Sequence, residues 1–270
     1  MIAVTGVDDE LVAGYRHLID GDRRSRVERD SGVFVVEGER AIGQVLSERW
    51  PVRSVLLSER RAAGRPELVA SAEAAGAQVL VAGQDLLDRI AGYPVHRGAL
   101  ALAERPAERD PGQVIAGCDL LLVVEAVNDF ENLGALFRNA AAFGVGAVLL
   151  DPRTADPLYR RCVRVSVGHV LRVPFARFRD WPAGLGEIRR AGFSVVALSP
   201  AGPTTIEEVA ADAALSGGRV AVMVGSEGDG LSPEALAAAD RVARISMVGG
   251  VDSLNVATAA AIALHLVRAR

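Results

Sequence analysis

The sequence predicts an α/β protein of two domains, the second built on a mostly parallel sheet. Three observations lead to this fold class. Short apolar runs alternate with helix-favouring stretches along the chain. Several runs in the second half are apolar throughout, which is typical of parallel strands covered on both faces. Between the halves, ERPAERDPGQ at residues 104–113 interrupts the alternation with charge, proline and glycine.

Length and composition limit the class of protein. With 270 residues, 50% of them hydrophobic, the chain can bury the cores of two ordinary domains. We expect a cytoplasmic protein without a membrane partner, because no apolar run approaches the roughly 18 residues that cross a bilayer and the N-terminus does not look like a signal peptide. The net charge of -4 argues against nucleic-acid binding by overall charge alone, although a local basic surface remains compatible with it.

Residue usage excludes several chemistries. The sequence contains no lysine, so all 30 basic residues are arginine, and a P-loop or a pyridoxal phosphate enzyme is excluded. Cys118 and Cys162 have no ligand-like spacing to each other or to the histidines, so we predict neither a metal site nor a disulfide framework. FGVGAVLL lacks the third glycine of a dinucleotide-binding motif and precedes a strand, so we also exclude a dinucleotide-binding site.

Residues 1–106 are predicted to form the smaller α/β domain, followed by a linker at 107–113. Residues 16–29 hold five arginines among three acids, a composition compatible with a solvated helix face and with phosphate contacts. Strands and helices are then predicted to alternate at 33–36, 41–48, 52–57, 66–75, 78–81, 85–91 and 98–103.

Residues 114–270 are predicted to form the second domain. Its strands are expected at 119–124, 147–150, 170–173, 194–198, 220–224 and 242–247. Since ligands collect beyond the carboxyl ends of the strands in such sheets, the loops after these runs are where we expect functional residues.

The first of these loops, residues 125–144, leads into a helix. We predict that Asn132 caps this helix and that Arg138 lies further along it, beside Asn139 and a run of alanines. An arginine in such surroundings fits either an ion pair at an interface or a functional role.

Two glycine-rich loops follow later strands. In the first, Gly225, Gly228 and Gly230 surround Glu227 and expose main-chain groups to a small ligand, or simply form a turn. In the second, residues 244–268, a strand is followed by paired glycines and then by a helix. Ser253 and Asn255 at the helix entrance can serve as caps or as ligand-binding groups.

Together these loops resemble a known family. NLGALFRNA, VGSEGDGLS and ISMVGGVDSLNVATAAAIALH resemble the three signature motifs of the SpoU (TrmH) class of RNA ribose 2'-O-methyltransferases. Residues 161–174 resemble the Ser-x-Gly stretch of that class, and RSRVERDSGVFVVEGERAI resembles its substrate-binding domain, related in fold to ribosomal protein L30e. The chain departs from the pattern at Phe130-Glu131, where Asp-Pro is common, and at Ser246, where proline is usual.

The resemblance implies a trefoil-knotted C-terminal domain that binds S-adenosylmethionine and a homodimer in which Arg138 acts near the partner's cofactor. It implies cofactor-binding positions at Leu198, Gly225, Ile245, Met247 and Leu254. The catalytic positions that it implies are Asn132, Arg138, Glu227, Ser253 and Asn255. For RNA contacts we single out Arg23, Arg24, Arg26 and Arg164.

The expected activity is methyl transfer to a ribose 2'-hydroxyl of ribosomal or transfer RNA. Two alternatives remain open from the sequence. One is a non-catalytic RNA-binding or ribosome-associated protein that keeps the fold. The other is a knotted methyltransferase that modifies a base. The Ser-Leu-Asn segment at 253–255 resembles the ribose-modifying branch and so argues against this second alternative.

Overall fold

The computed structural model describes residues 1–19, 28–215, 218–249 and 252–268, in two compact units. Unit 1 comprises Met1–Ala107 and Leu158–Leu171, and unit 2 comprises Glu108–Pro157 and Arg172–Arg270. Each unit has its own sheet flanked by helices, which confirms the predicted α/β class. In the described part of the chain, no helix combines the length and the apolar character needed to cross a membrane.

Unit 1 contains a mixed five-stranded sheet in the order β1-β4-β3-β5-β2. The strands are β1 (Ile2–Ala3), β2 (Val33–Glu37), β3 (Val52–Ser58), β4 (Gln78–Ala82) and β5 (Ala99–Glu104). Four α-helices connect them at Glu39–Ser47, Glu59–Gly64, Pro66–Ala74 and Gln84–Ala91. β3 pairs in parallel with β4 and antiparallel with β5, so this sheet mixes both kinds of ladder.

Unit 1 also takes in Leu158–Leu171, a segment that the sequence placed in the continuous domain 114–270. Its helix Arg160–Val165 carries Arg160, which is buried and donates to Glu37 Oε2 at 2.9 Å and to the Leu18 carbonyl at 3.1 Å. The guanidinium also lies 4.4 Å from the centroid of the Tyr93 ring. A buried guanidinium needs a charged partner, and Glu37 in unit 1 provides it, which explains why the segment belongs there.

Part of the predicted linker at 107–113 is helical. A helix spans Pro111–Ile115, and the Asp110 side chain caps it by accepting from the Gln113 amide at 3.1 Å. Asp-Pro is a helix start signal in which proline takes the first helical position. Read as composition alone, the same residues looked like an irregular connection.

Unit 2 contains a seven-stranded, fully parallel sheet in the order β10-β12-β9-β11-β6-β7-β8. The strands are β6 (Leu120–Val124), β7 (Ala147–Leu150), β8 (Phe175–Arg177), β9 (Ser194–Leu198), β10 (Thr204–Thr205), β11 (Val220–Val224) and β12 (Arg241–Arg244). Its helices beyond Pro111–Ile115 are Phe130–Ala142, Leu185–Arg190, Ile206–Leu215, Pro233–Ala238 and Val256–Arg268.

Two predicted strands differ from the structure. Val170–Val173 is not a strand: a 3-10 helix spans His169–Leu171, and β8 begins only at Phe175. Val170 and Leu171 are buried in unit 1, so their apolar side chains indicate burial and not an extended conformation. The last strand was predicted to reach Met247 but ends at Arg244, which leaves Ile245 and Met247 in the loop that follows.

The helices Phe130–Ala142 and Val256–Arg268 pack against each other in unit 2. The Asn139 amide donates to the Ala257 carbonyl at 2.7 Å, and Arg268 donates to the Ala142 carbonyl at 3.1 Å. The contact brings the entrance of the last helix beside the first loop, although more than 100 residues separate the bonded partners in sequence.

Candidate functional site

A cavity of about 370 Å³ opens in unit 2 beyond the carboxyl ends of β9, β11 and β12. Its volume lies within the range of small-molecule sites. All five residues predicted to hold a cofactor line this cavity: Leu198, Gly225, Ile245, Met247 and Leu254. Glu227, Ser253 and Asn255 line it as well. The chain topology thus brings into one pocket residues from three separate loops.

Gly225 is required by the tight turn that forms one wall of the pocket. The Ser226 and Gly230 main chains bond to each other in both directions at 3.2 Å, which folds the loop back on itself. A Cβ on Gly225 would lie 2.2 Å from the carbonyl carbon of Gly230 and 2.4 Å from the Leu231 nitrogen. Because real Cβ atoms do not approach a main chain so closely, any side chain at this position must displace the wall.

The opposite wall begins where β12 ends. Arg244 donates to the carbonyls of Gly202 and Pro203 at 2.8 and 2.7 Å, which ties the end of this strand to the segment that follows β9. Ile245 and Met247 then line the pocket. Gly250 of the predicted glycine pair lies outside the described residues, whereas Gly249 is described.

Asn132, Glu227 and Asn255 form a hydrogen-bonded polar triad at the pocket. The Asn255 amide donates to Asn132 Oδ1 at 2.8 Å and to Glu227 Oε1 at 3.1 Å, and the Asn132 amide donates to the same carboxylate oxygen. Asn255 Oδ1 accepts from the amides of Ala257 and Thr258 at 3.0 and 3.2 Å. Since this cap commits the oxygen to the helix, the Asn255 nitrogen must face the other two members of the triad.

The triad leaves one carboxylate oxygen available. Both amide donors reach Glu227 Oε1, and Oε2 accepts no hydrogen bond from the described residues. Glu227 is exposed at the pocket wall. A fixed carboxylate with a free lone pair at a pocket is suited to accept from a ligand hydroxyl or amine.

The prediction that Asn132 caps its helix is wrong. The helix begins at Phe130, and Asp129 caps it by accepting from the Glu131 and Asn132 amides at 2.8 Å each. Asn132 therefore sits inside the first turn. Its side chain is free of capping and reaches the polar triad instead.

Arg138 and Ser253 stand apart from the triad. Arg138 is exposed on the helix Phe130–Ala142, does not line the pocket, and makes no hydrogen bond or ion pair with the described residues. It follows Asn132 by six positions, which places it about 120° around the helix from that residue. Ser253 lines the pocket and is exposed. One copy of the chain thus assembles the triad without Arg138.

Of the four arginines predicted to contact RNA, the structure describes Arg164. Arg23, Arg24 and Arg26 lie outside the described residues. Arg164, in unit 1, is 47% exposed and donates to Glu37 Oε1 at 3.3 Å. Its guanidinium therefore already has an acidic partner within unit 1.

Ser199 and Pro200 follow β9 directly and line the pocket, although neither was predicted as a site residue. The rule that ligands bind beyond strand carboxyl ends would have found them, because β9 was predicted to end at Leu198. Ala259 also lines the pocket, one turn into the last helix. No feature of an alanine in an alanine-rich helix distinguishes it in the sequence.

We predict that Asn255 has separable structural and polar roles. Asn255→Ala removes the cap of helix Val256–Arg268 and is expected to lower the free energy of unfolding by about 1 kcal/mol. Asn255→Ser keeps a capping oxygen and is expected to cost only a few tenths of that energy, while losing the amide donated to Glu227. Urea unfolding of both variants measures the difference, and equal destabilisation would contradict the capping role.

Comparisons with known proteins place the chain among RNA-modifying enzymes. A family model described as the SpoU rRNA Methylase family matches residues 119–265, and one described as RNA 2'-O ribose methyltransferase substrate binding matches residues 35–109. An uncharacterized tRNA/rRNA methyltransferase of Mycobacterium tuberculosis strain H37Rv is 42% identical over 258 residues, covering 96% of this chain and 88% of that protein.

The chain is also similar to a guanosine methyltransferase in sequence and to an rRNA methyltransferase in fold. The 23S rRNA (guanosine-2'-O-)-methyltransferase RlmB of Acinetobacter baylyi is 34% identical over 202 residues, covering 72% of this chain and 79% of that one. The crystal structure of an AdoMet-bound rRNA methyltransferase from Sinorhizobium meliloti superposes with a TM-score of 0.84 over 99% of this chain and 97% of that chain. At 24% identity, this second likeness establishes a shared fold.

Proposed function

The chain belongs to the SpoU rRNA methylase family, and from that premise we propose that it transfers a methyl group from S-adenosylmethionine to a ribose 2'-hydroxyl of ribosomal or transfer RNA. The observation that carries the proposal is the meeting of three distant loops at one pocket, with a fixed polar triad beside it. The ribose target is supported by the similarity to a guanosine-2'-O-methyltransferase and by the substrate-binding family model.

The pocket fits a nucleoside cofactor. Leu198, Ile245, Met247 and Leu254 provide apolar surface for a flat ring, and the bare main chain at Gly225 allows a ligand to approach exposed peptide groups. Glu227 Oε2 is available to accept from a ligand hydroxyl or amine. When bound, S-adenosylmethionine supplies an electrophilic methyl group on a sulfonium centre.

The contribution of the chain is mainly positioning. Asn255 is fixed by the helix that it caps, and through its amide it fixes Asn132 and Glu227. A rigid triad holds a substrate sugar in one orientation, and such alignment is the larger share of the barrier reduction in a transfer that needs an in-line approach.

Arg138 is proposed to bind the phosphate beside the target ribose. Its exposed guanidinium has no internal partner among the described residues, and its planar fork matches a phosphate group. A guanidinium keeps its positive charge in proteins, so it does not accept the hydroxyl proton. We assign that proton to a neighbouring RNA phosphate oxygen, with Arg138 polarising the hydroxyl.

Because Arg138 lies outside the pocket of its own chain, we propose that the active protein is a homodimer in which this arginine serves the partner's pocket. Unit 1 is proposed to select the RNA, in keeping with its match to a substrate-binding model. The trefoil knot stays a prediction from the family resemblance. The domain division 1–106, 107–113 and 114–270 stays a prediction from the sequence pattern.

The proposal is tested by mapping methylated riboses in RNA from cells with and without this protein. We expect one or a few ribosomal or transfer RNA positions to lose 2'-O-methylation, and purified protein with S-adenosylmethionine to restore them. Modification of a base instead would identify a base methyltransferase. If calorimetry with S-adenosylmethionine detects no binding, the protein is an RNA-binding relative without activity.

A further inference from the structure

Glu125 is a buried carboxylate directly after β6, outside the pocket and the polar triad. Oε1 accepts from Trp181 Nε1 and Ser232 Oγ at 2.7 Å each and from Arg153 Nη2 at 3.0 Å. Oε2 accepts from the Ser232 amide at 2.9 Å. Four donors on one buried carboxylate is a dense arrangement, and two of them belong to a single residue.

Ser232 connects Glu125 to the loop that precedes the helix Pro233–Ala238. Ser232 closes the loop 225–231 and caps the helix Pro233–Ala238 by accepting from the Ala235 amide at 3.2 Å. The same loop begins after Val224, whose carbonyl accepts from the Glu125 amide at 2.9 Å. Glu125 therefore bonds to both ends of the loop, with its main chain at one end and its side chain at the other.

The loop held in this way forms a wall of the pocket. Gly225, Ser226, Glu227, Gly228 and Gly230 all line the cavity. Between its ends the loop has its own bonds, from Ser226 to Gly230 in both directions. Glu227 adds the bonds to Asn132 and Asn255 in the polar triad. At both of its ends the loop is bonded to Glu125.

We infer that Glu125 is a positioning residue that sets the cofactor-binding loop 225–231, so that binding of S-adenosylmethionine depends on a side chain that does not contact it. The inference rests on the proposed function, since it concerns the same pocket. Glutamine at this position has one oxygen in place of two and brings two donors of its own, so it cannot accept all four hydrogen bonds. At least one of the bonds from Trp181, Arg153 and Ser232 must then be lost, and a neutral acceptor replaces the charged one that holds the loop end.

The main test compares Glu125→Gln with wild type by calorimetry with S-adenosylmethionine and with S-adenosylhomocysteine. We expect both dissociation constants to rise tenfold or more, which is about 1.4 kcal/mol or more. In methyl-transfer assays the KM for S-adenosylmethionine is expected to rise similarly, while kcat at saturating cofactor stays within about threefold, since Glu125 does not touch the reacting groups.

Asp151→Asn is the matched control, because Asp151 is also buried and also pairs with Arg153, at 3.2 Å. Burial would raise the pKa of Asp151, but the hydrogen bonds from Thr154 and from the Ala126, Thr154 and Arg153 amides outweigh it and lower the pKa. It does not bond to Ser232, so cofactor affinity is expected to change less than threefold. If both variants weaken binding equally, or if Glu125→Gln lowers thermal stability and leaves binding unchanged, the inference is wrong.

A second test uses the wild-type protein, so it does not require any variant to fold. Amide hydrogen exchange without ligand is expected to show Ser232 protected to the extent of a strand residue, because its N–H donates to a buried carboxylate. Exchange at the rate of an open loop would overturn the inference. Absence of cofactor binding in wild type would instead refute the proposed function and leave the loop geometry untouched.

Discussion

Arg138→Ala is expected to lower the rate of methyl transfer by about 10³-fold while the dissociation constant for S-adenosylmethionine stays within about threefold of wild type. The side chain does not line the pocket of its own chain, so its loss leaves the cofactor wall intact. What is lost is the guanidinium that we propose to bind an RNA phosphate and to polarise the target hydroxyl. Single-turnover transfer of a labelled methyl group and calorimetry measure the two effects separately.

Two variants serve as controls for this result. Arg190→Ala removes an exposed arginine from the last turn of the helix Leu185–Arg190, also in unit 2, and is expected to leave the rate unchanged. Arg138→Lys keeps the charge but loses the planar fork, so an intermediate loss of about 10- to 100-fold is expected. Turnover of Arg138→Ala at the wild-type rate would remove this residue from the mechanism.

The fold was predictable where one physical cause dominates the pattern. β7, β9 and β11 have the predicted bounds of Ala147–Leu150, Ser194–Leu198 and Val220–Val224, because strands covered on both faces must be apolar throughout. Val170–Val173 is also rich in apolar residues but contains Arg172 and is no strand, and its Val170 and Leu171 are buried in unit 1. An apolar run indicates burial, and only its partners determine its conformation.

The candidate site shows the same division. That loops after parallel strands would converge was predictable from topology, and the cavity beyond β9, β11 and β12 follows that rule. The hydrogen-bond partners of individual polar groups were not predictable from the sequence. Asp129 and Asn132 are equally good caps by composition, and only the position of the helix start decides between them. Glu125 opens the first loop in the sequence, but its four donors come from residues up to 107 positions away.

Gly225→Ala is expected to weaken binding of S-adenosylmethionine at least 100-fold, or about 2.7 kcal/mol. The new Cβ would lie 2.2 Å from the Gly230 carbonyl carbon and 2.4 Å from the Leu231 nitrogen, and neither main-chain atom can yield without moving the wall. Gly186→Ala is the matched control, because a Cβ there meets nothing within 4 Å and an alanine inside the helix Leu185–Arg190 is favourable. Calorimetry on both variants, with thermal melts to establish folding, checks the prediction, and wild-type affinity in Gly225→Ala would refute it.

The same variant decides whether Arg138 serves its own pocket or the partner's. A Gly225→Ala chain lacks a usable pocket but keeps Arg138, whereas an Arg138→Ala chain lacks the arginine but keeps the pocket. If the arginine acts across a two-fold dimer, a mixed dimer has one complete site, and co-expression of the two inactive chains should restore roughly a quarter of wild-type activity. If the arginine acts within its own chain, the mixed dimer has none, and the mixture should remain as inactive as its parents.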